Sequence, residues 1–375
     1  MQRLRLPRLA PIVFVALPLM FLAGSASAQH YTQVNLVSNQ SGAAHTDTNL
    51  VNGWGIARSA TTPWWVSDNG TGKSTIYNGI TGTPAALVVT VPGAPTGVVY
   101  NGTSNFVIPG SGPAHFIFAS EDGTISAWNS GTTAQIVVTT AGAVYKGIAI
   151  ATVDGNPRLY ATDFHGGHID VFDTNFQPVT KGIGNGNGNG NGNGNGNSQG
   201  DDTSFFSGKP RGFVPFNIQN IGDTMYVTFA KQDAAKHDEV DGPGLGLIGT
   251  FTPAGKLIQW FDQVSDLNAP WGLAMAPSEF GAFSHYLLVG QFGSGEILAF
   301  NPASGAYAGK LLQPVAAGGG PISIDGIWGI GFGSGTANSG PLNTLFFAAG
   351  PNSESNGLFG SLTPVSTDLI QGNSN

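Results

Sequence analysis

The stretch AKQDAAKHDEVDGPG, residues 230–244, is the densest run of ionisable side chains in a chain where only 10% of residues are charged. His237, Asp238 and Glu239 are consecutive there. Imidazole with carboxylates suits Zn or Mn, and carboxylates with carbonyls suit Ca. His165, in DFHGGHID, is the further ligand that a neighbouring unit would supply. His168, three residues on, is expected to begin a strand, which leaves His165 the better ligand. The competing reading is a solvated hairpin whose acids cap turns, because three consecutive residues face one ion only through a particular turn. A second set is aromatic. Trp54, Trp271 and Trp328 each precede a glycine. Side by side at a channel mouth they would form a platform for a sugar or an apolar ligand; otherwise they fill the channel wall. Lys146 and Gln291 complete the ligand-binding candidates.

Familiar catalytic patterns are missing. NGTGKST (69–75) resembles the end of a phosphate loop, but Ser67 stands where the first glycine is required and a strand follows. There is no G-x-S-x-G elbow and no H-E-x-x-H. With no cysteine, disulfides, thiolate metal sites and cysteine nucleophiles are excluded.

The elements that position these residues are repeated. The phrase WGIA at Trp54 recurs as PTGVVY (95–100), YKGIAI (145–150), FVPFNI (213–218), PWGLAM (270–275) and IWGIGF (327–332). Gly55, Gly97, Gly147, Pro215, Gly272 and Gly329 serve as anchors. Each phrase is followed by a second run such as PWWVSD or RLYATD, a third such as GHIDVF or GEILAF, and a looser fourth such as AALVVTV. Fifty-seven glycines among many β-branched and aromatic residues fit short strands and tight turns, with no sustained helical period. Four strands per unit, six times, predict an all-β, six-bladed β-propeller of four-stranded antiparallel blades. The sixth unit lacks its fourth strand, and YTQVNLV (31–37) is unassigned; this N-terminal strand is expected to complete the sixth blade and close the ring.

In such a blade the innermost strand starts, and the second strand ends, at one face, the upper mouth. The hairpins there bring Asp68, Asn69, Glu121, Asp122, Asp163, His165, His168, Lys231, Gln232, Asp233, His237, Asp238, Glu239, Gln291, Asn352 and Glu354. The segments leading into the innermost strands bring Trp54, Lys146, Trp271 and Trp328.

The phrases NIQNIGDTMYVTFAKQDAAKHDEVDGPGLG, LNAPWGLAMAPSEFGAFSHYLLVGQFGSGEILAF, IDGIWGIGFG and LFFAAGPNSESNGLFGSL extend the pattern beyond propeller punctuation. Over residues 31 to 364 the chain resembles an uncharacterised family of exported bacterial conserved hypothetical proteins. That family is often encountered with PEP-CTERM sorting systems and is related to NHL-type propellers. The resemblance implies export and six blades, and no established activity. The C-terminal STDLIQGNSN has neither an apolar helix nor a basic end, so sortase-like processing is not expected.

Residues 1–28 read as a signal peptide, with Arg3, Arg5 and Arg8, an apolar core and cleavage after Ala28, and imply a secreted or periplasmic protein. Residues 29–375 then form one propeller domain. Within it GNGNGNGNGNGNGN (184–197) is a flexible insertion and 365–375 a disordered tail. The net charge of −8 becomes more negative without the leader and argues against nucleic acid and anionic membranes. No second apolar stretch reaches membrane length, so no membrane insertion is expected. The expected protein is a monomeric scaffold that binds a small molecule, a glycan or a surface protein. The rival is a metal-dependent hydrolase or lyase with its site at the upper mouth, and a structural matrix role is a third reading.

Overall fold

A computed structural model describes residues 29–179 and 212–371. The leader expected over 1–28 and the Gly-Asn insertion of 184–197 lie outside the described residues. Short strands with inward and outward alternation cannot bury both faces within one sheet, so each small sheet must be sandwiched between two others. Six sheets around a channel achieve this.

From channel to rim, the first blade comprises Gly53–Ala57, Trp64–Asp68, Lys73–Tyr77 and Val89–Thr90. The second comprises Pro95–Tyr100, Phe116–Ser120, Thr124–Trp128 and Gln135–Thr139. Three strands of the third blade are described: Tyr145–Val153, Asn156–Asp163 and His168–Phe172. The fourth blade is Val214–Ile221, Thr224–Ala230, Gly246–Phe251 and Leu257–Trp260, and the fifth is Pro270–Met275, Leu287–Gln291, Ile297–Phe300 and Tyr307–Lys310. The sixth is Ile327–Phe332, Leu345–Ala349 and Leu358–Pro364, completed by Tyr31–Ser38 from the N-terminal end, with the two-residue strand His45–Thr46 added parallel at its rim. That last strand pairs antiparallel with Leu358–Pro364 from Tyr31↔Pro364 to Ser38↔Leu358, which is the expected closure.

The cores follow the ring. Each of the six interfaces between neighbouring blades holds its own apolar cluster, and a seventh, aromatic cluster sits on the axis. The sixth and first blades share Leu36, Val37, Phe346 and Phe359 with Trp64, Val66 and Tyr77. A loop of the sixth blade reinforces that junction. Trp64 Nε1 donates to Ser339 O at 2.9 Å, and the Gly79 amide donates to Asn338 O at 2.7 Å.

Every innermost strand has a β-bulge at its anchor, where the register slips against the second strand. The bulge bends the strand toward its neighbour. A Cβ on Gly55 would stand 2.6 Å from Thr96 O, and one on Gly329 2.6 Å from Trp54 O, so glycine is required by close approach of backbones. In the fourth blade the bulge position is Asn217, not Pro215 as the repeat alignment expected. Its side chain spans to the fifth blade, Nδ2 donating to Trp271 O at 2.7 Å.

The tail expected to be disordered begins with a short helix, Ser366–Gln371. Asp368 accepts from the His30 amide at 2.9 Å and faces His30 Nδ1 at 3.0 Å, so the tail fastens the N-terminal strand. Among the described residues no helix is long and apolar enough to cross a membrane.

Candidate functional site

Trp54, Lys146, Phe216, Trp271 and Trp328, one from each of five innermost strands, meet on the axis at the upper mouth, whereas Thr96 in the second blade donates to Ala119 O at 3.3 Å and Tyr145 O at 2.8 Å. The strands converge there, and the aromatic members pack on one another. Trp54 and Trp328 stack with centroids 3.6 Å apart, and Trp271 meets both edge-on at 5.9 Å. Phe292 stacks on the other side of Trp328 at 4.0 Å. All three tryptophans are buried. Their faces are spent on each other, so the set is a plug across the channel and not the open platform expected for a sugar.

Lys146 is the polar member of this ring and has 0% exposure. Its ammonium lies 4.8 Å from the centre of the Trp54 ring and 5.9 Å from that of Phe164. It pairs with Glu121 of the second blade and reaches Asp238 of the fourth at 3.4 Å. Burial opposes its charge, but Glu121, Glu239 and Asp238 together outweigh burial and hold it above the ordinary lysine range. Held toward its charged form among these carboxylates, the amine serves as an electrostatic anchor.

Around this cation the hairpins deliver more carboxylates than it can neutralise. Asp233 caps the turn of the charged hairpin, its Oδ1 accepting from the His237 amide at 2.9 Å. The capping role therefore falls to one acid and leaves the next two for the mouth. His237 Nδ1 lies 2.8 Å from Asp238 Oδ1, and one ligand atom each from Glu121, His237 and Asp238 lies within 4.8 Å of the others. Glu239, expected as a ligand, is not among these three; burial pushes it up to about 8, against the pull of Lys146. Glu354 comes from the sixth blade, likewise raised by burial and held at 3.0 Å by Asn52 Nδ2.

The turn presenting Glu354 is strained. Asn352, Ser353 and Glu354 have φ of 59°, 50° and 62°, three successive non-glycine residues in the left-handed region. Such backbone persists only where its surroundings over-determine it, and it concentrates at functional sites. Asn52, also at positive φ (50°), is the connecting piece. It accepts from Trp328 Nε1 at 3.2 Å and donates to Glu354 and, at 3.3 Å, to Asn69, which donates to Glu121 at 2.8 Å. Sequence reasoning passed over Asn52 because nothing distinguishes a loop asparagine until its partners are known.

Other expected residues fall elsewhere. His165 is exposed and outside the His237 group; its backbone carbonyl accepts from Gln232 at 3.1 Å. His168 begins its strand as expected and pairs with Asp170 at 3.1 Å and Asp163 at 3.7 Å. The Asp170 hydrogen bond lifts it to about 9 despite burial. Gln291 is fully buried and fastens a hairpin: Oε1 accepts from the Asn268 amide at 2.9 Å and Nε2 donates to Val289 O at 3.1 Å. It offers nothing to a ligand.

No family model matches the chain. Uncharacterized protein L690 of Acanthamoeba polyphaga mimivirus is 32% identical over 344 residues, 87% of this chain and 84% of that one. Uncharacterized protein R648 of the same virus is 30% identical over 345 residues, 87% and 78% respectively. These relatives lend no support to the bacterial, PEP-CTERM setting that the motif resemblance implied. Among solved structures, a streptogramin B lyase covers 90% of this chain and 98% of its own with a TM-score of 0.49 at 13% identity. A Myxococcus xanthus glutaminyl cyclase covers 67% and 87% with 0.36 at 14%. Neither activity is carried over to this chain. The long matches to the viral proteins decide kinship, and the chain belongs to the family of the uncharacterised mimivirus proteins L690 and R648.

Proposed function

We propose that this protein is an exported binding propeller whose upper mouth captures its ligand through a divalent cation held by Glu121, His237 and Asp238. The observation that carries the reading is the convergence of these three donors, from two blades, within 4.8 Å of one another. Two carboxylates and an imidazole suit Zn or Mn, and carbonyls or ligand oxygens would complete a Ca shell. Lys146 and the tryptophan plug supply a rigid floor, and the ligand, a glycan, a small molecule or a surface peptide, would add the outer donors. Export rests on the leader-like residues 1–28, and the PEP-CTERM setting stays part of this proposal alone.

A second reading, metal-assisted hydrolysis or elimination at the same mouth, is favoured by the strained turn that holds Glu354 over it. One experiment addresses the first reading. Chelator-treated protein is dialysed and titrated with Ca²⁺, Mn²⁺ and Zn²⁺ while thermal unfolding is followed. At least one ion raises Tm by several degrees at about 100 times its Kd, and Asp238→Asn loses the rise. If no ion shifts Tm, or if the shift persists in both Asp238→Asn and Glu121→Gln, the cation site is wrong. The second reading needs metal-dependent turnover of ester, lactone or uronate substrates that Glu354→Gln removes.

A further inference from the structure

The channel below the plug is a separate chamber of about 480 Å³. That is within the range of small-molecule pockets. Trp271 lines it from the plug side. Its walls are the innermost strands, and its far end is marked by Arg58, Tyr100, Gln219 and Asn220, which close or follow those strands.

Arg58 is unusual in its company. Its Nε donates to Phe332 O at 2.9 Å, Nη2 donates to the same carbonyl, and Nη1 donates to Ser59 O at 3.1 Å. Its guanidinium lies 5.2 Å from the centre of the Trp64 ring. All these partners are neutral. Among the described residues no carboxylate pairs with it, in a chain carrying 22 acids against 14 bases. The partners fix the plane of the guanidinium and leave its charge uncancelled at the chamber wall. Burial alone pulls its pKa below the ordinary arginine value, as expected for a cation without a counter-ion.

Asn220 and Trp271 also line the chamber. Asn220 gives Nδ2 to Ile150 O at 3.0 Å, which fixes the amide, while its Oδ1 is buried without a donor. Trp271 Nε1 is buried without an acceptor. Neither atom exposes surface to the chamber, so the complement that the chamber itself lacks is a negative charge beside Arg58.

We infer that this chamber is a second binding site, taking a small organic carboxylate, and entered from the face opposite the upper mouth. Arg58 meets the carboxylate, and the body of the ligand lies along the apolar strand walls below Trp271. The plug separates this ligand from the cation site, so the two sites are independent. A carboxylate rather than a phosphate is favoured because only one uncompensated cation is present.

The test is calorimetric titration, in metal-free buffer, with salicylate and malate and with salicylamide and malamide as neutral counterparts. The carboxylates bind with Kd below about 1 mM and the amides about tenfold more weakly or worse. Arg58→Gln abolishes the preference for carboxylate over amide. Asn220→Asp, which leaves the Arg58 contacts in place, weakens carboxylate binding by adding a like charge and serves if Arg58→Gln fails to fold. Absence of binding by either carboxylate up to about 10 mM overturns the inference. Equal binding of carboxylates and amides, or wild-type binding in both folded variants, overturns it as well. Loss of the metal response in Asp238→Asn leaves this titration unchanged, so failure of one site is distinguishable from failure of the other.

Discussion

Lys146 is a full positive charge where solvent does not reach, and its neighbours exist on its account. Removing one member of a buried ion pair leaves the other uncompensated, which costs far more than the pair contributes. Lys146→Met is therefore expected to destabilise the fold by about 3 kcal/mol, measured by chemical denaturation. Adding Glu121→Gln to it should restore a substantial part of the loss, and a double variant no more stable than the single one would show that the pair is not what matters. Asp68 is the opposite case, a buried carboxyl without a cation in contact. Burial raises its pKa well above the ordinary aspartate range; the Thr75 hydroxyl at 3.2 Å lowers it, Asp47 raises it and Lys73 lowers it. Tyr77, packed against the same side, is itself raised by burial and by Asp68. The folded state thus holds the Asp68 proton after the unfolded state has released it, so stability falls as pH rises from about 4 toward the folded pKa. Asp68→Asn should remove that slope and stabilise the protein at pH 8 by about 1 kcal/mol or more, while gaining nothing near pH 4. At this scale the sequence was half informative. The composition of the charged hairpin made His237 and Asp238 conspicuous, whereas Asn52, Arg58 and the indifference of Gln291 depend on which neighbour each side chain meets across the ring.

The innermost strand is the element on which the site depends, and its anchor glycine is a matter of space. The bulge brings each strand so close to the next that backbone carbonyls occupy the volume of a side chain. Gly329→Ala places a Cβ 2.6 Å from Trp54 O and 2.9 Å from the Ile56 amide nitrogen, neither of which can rotate away. The expected loss is about 2–3 kcal/mol by overpacking, with the upper mouth displaced as well. Gly131→Ala is the control: its φ of 78° strains an alanine, but its Cβ would meet nothing within 4 Å, so the loss should be about 1 kcal/mol. Equal effects in thermal melts would mean that close approach is not the constraint. The recurrence of these glycines made the strands legible, because six backbones meeting on one axis leave room for little else. The same logic misplaced the fourth anchor. Asn217 satisfies the geometry differently, with an amide that bonds across to the next strand, and a search for repeated glycine passes over it.

For the whole molecule the decisive question is how a chain with two ends makes a ring with none. Each blade is stabilised on both faces by its neighbours, so an open ring would expose two blade faces and one unpaired strand edge at once. The order of strands made this foreseeable: a unit one strand short at the C-terminal end and a spare strand ahead of the first unit have one economical arrangement. What was not foreseeable is how many fastenings reinforce it, since they depend on loops rather than on the repeat. Tyr31 is fully buried and donates to Phe280 O at 3.0 Å, His30 faces Asp368 of the terminal helix, and the loop at Ser339 crosses to Trp64. Deleting residues 29–38 removes the fourth strand of the sixth blade, the Leu36 and Val37 contribution to the junction with the first blade, and the partner of Asp368. The truncated protein is expected to lose its single sharp thermal transition and to show hydrogen exchange accelerated first in the sixth and first blades, then around the ring. His30→Ala should be much milder, because the strand pairing from Tyr31 to Ser38 survives it. A truncated chain that melts at the full-length temperature with undiminished cooperativity would mean that the blades are held by local pairing alone, and closure would then contribute nothing to stability.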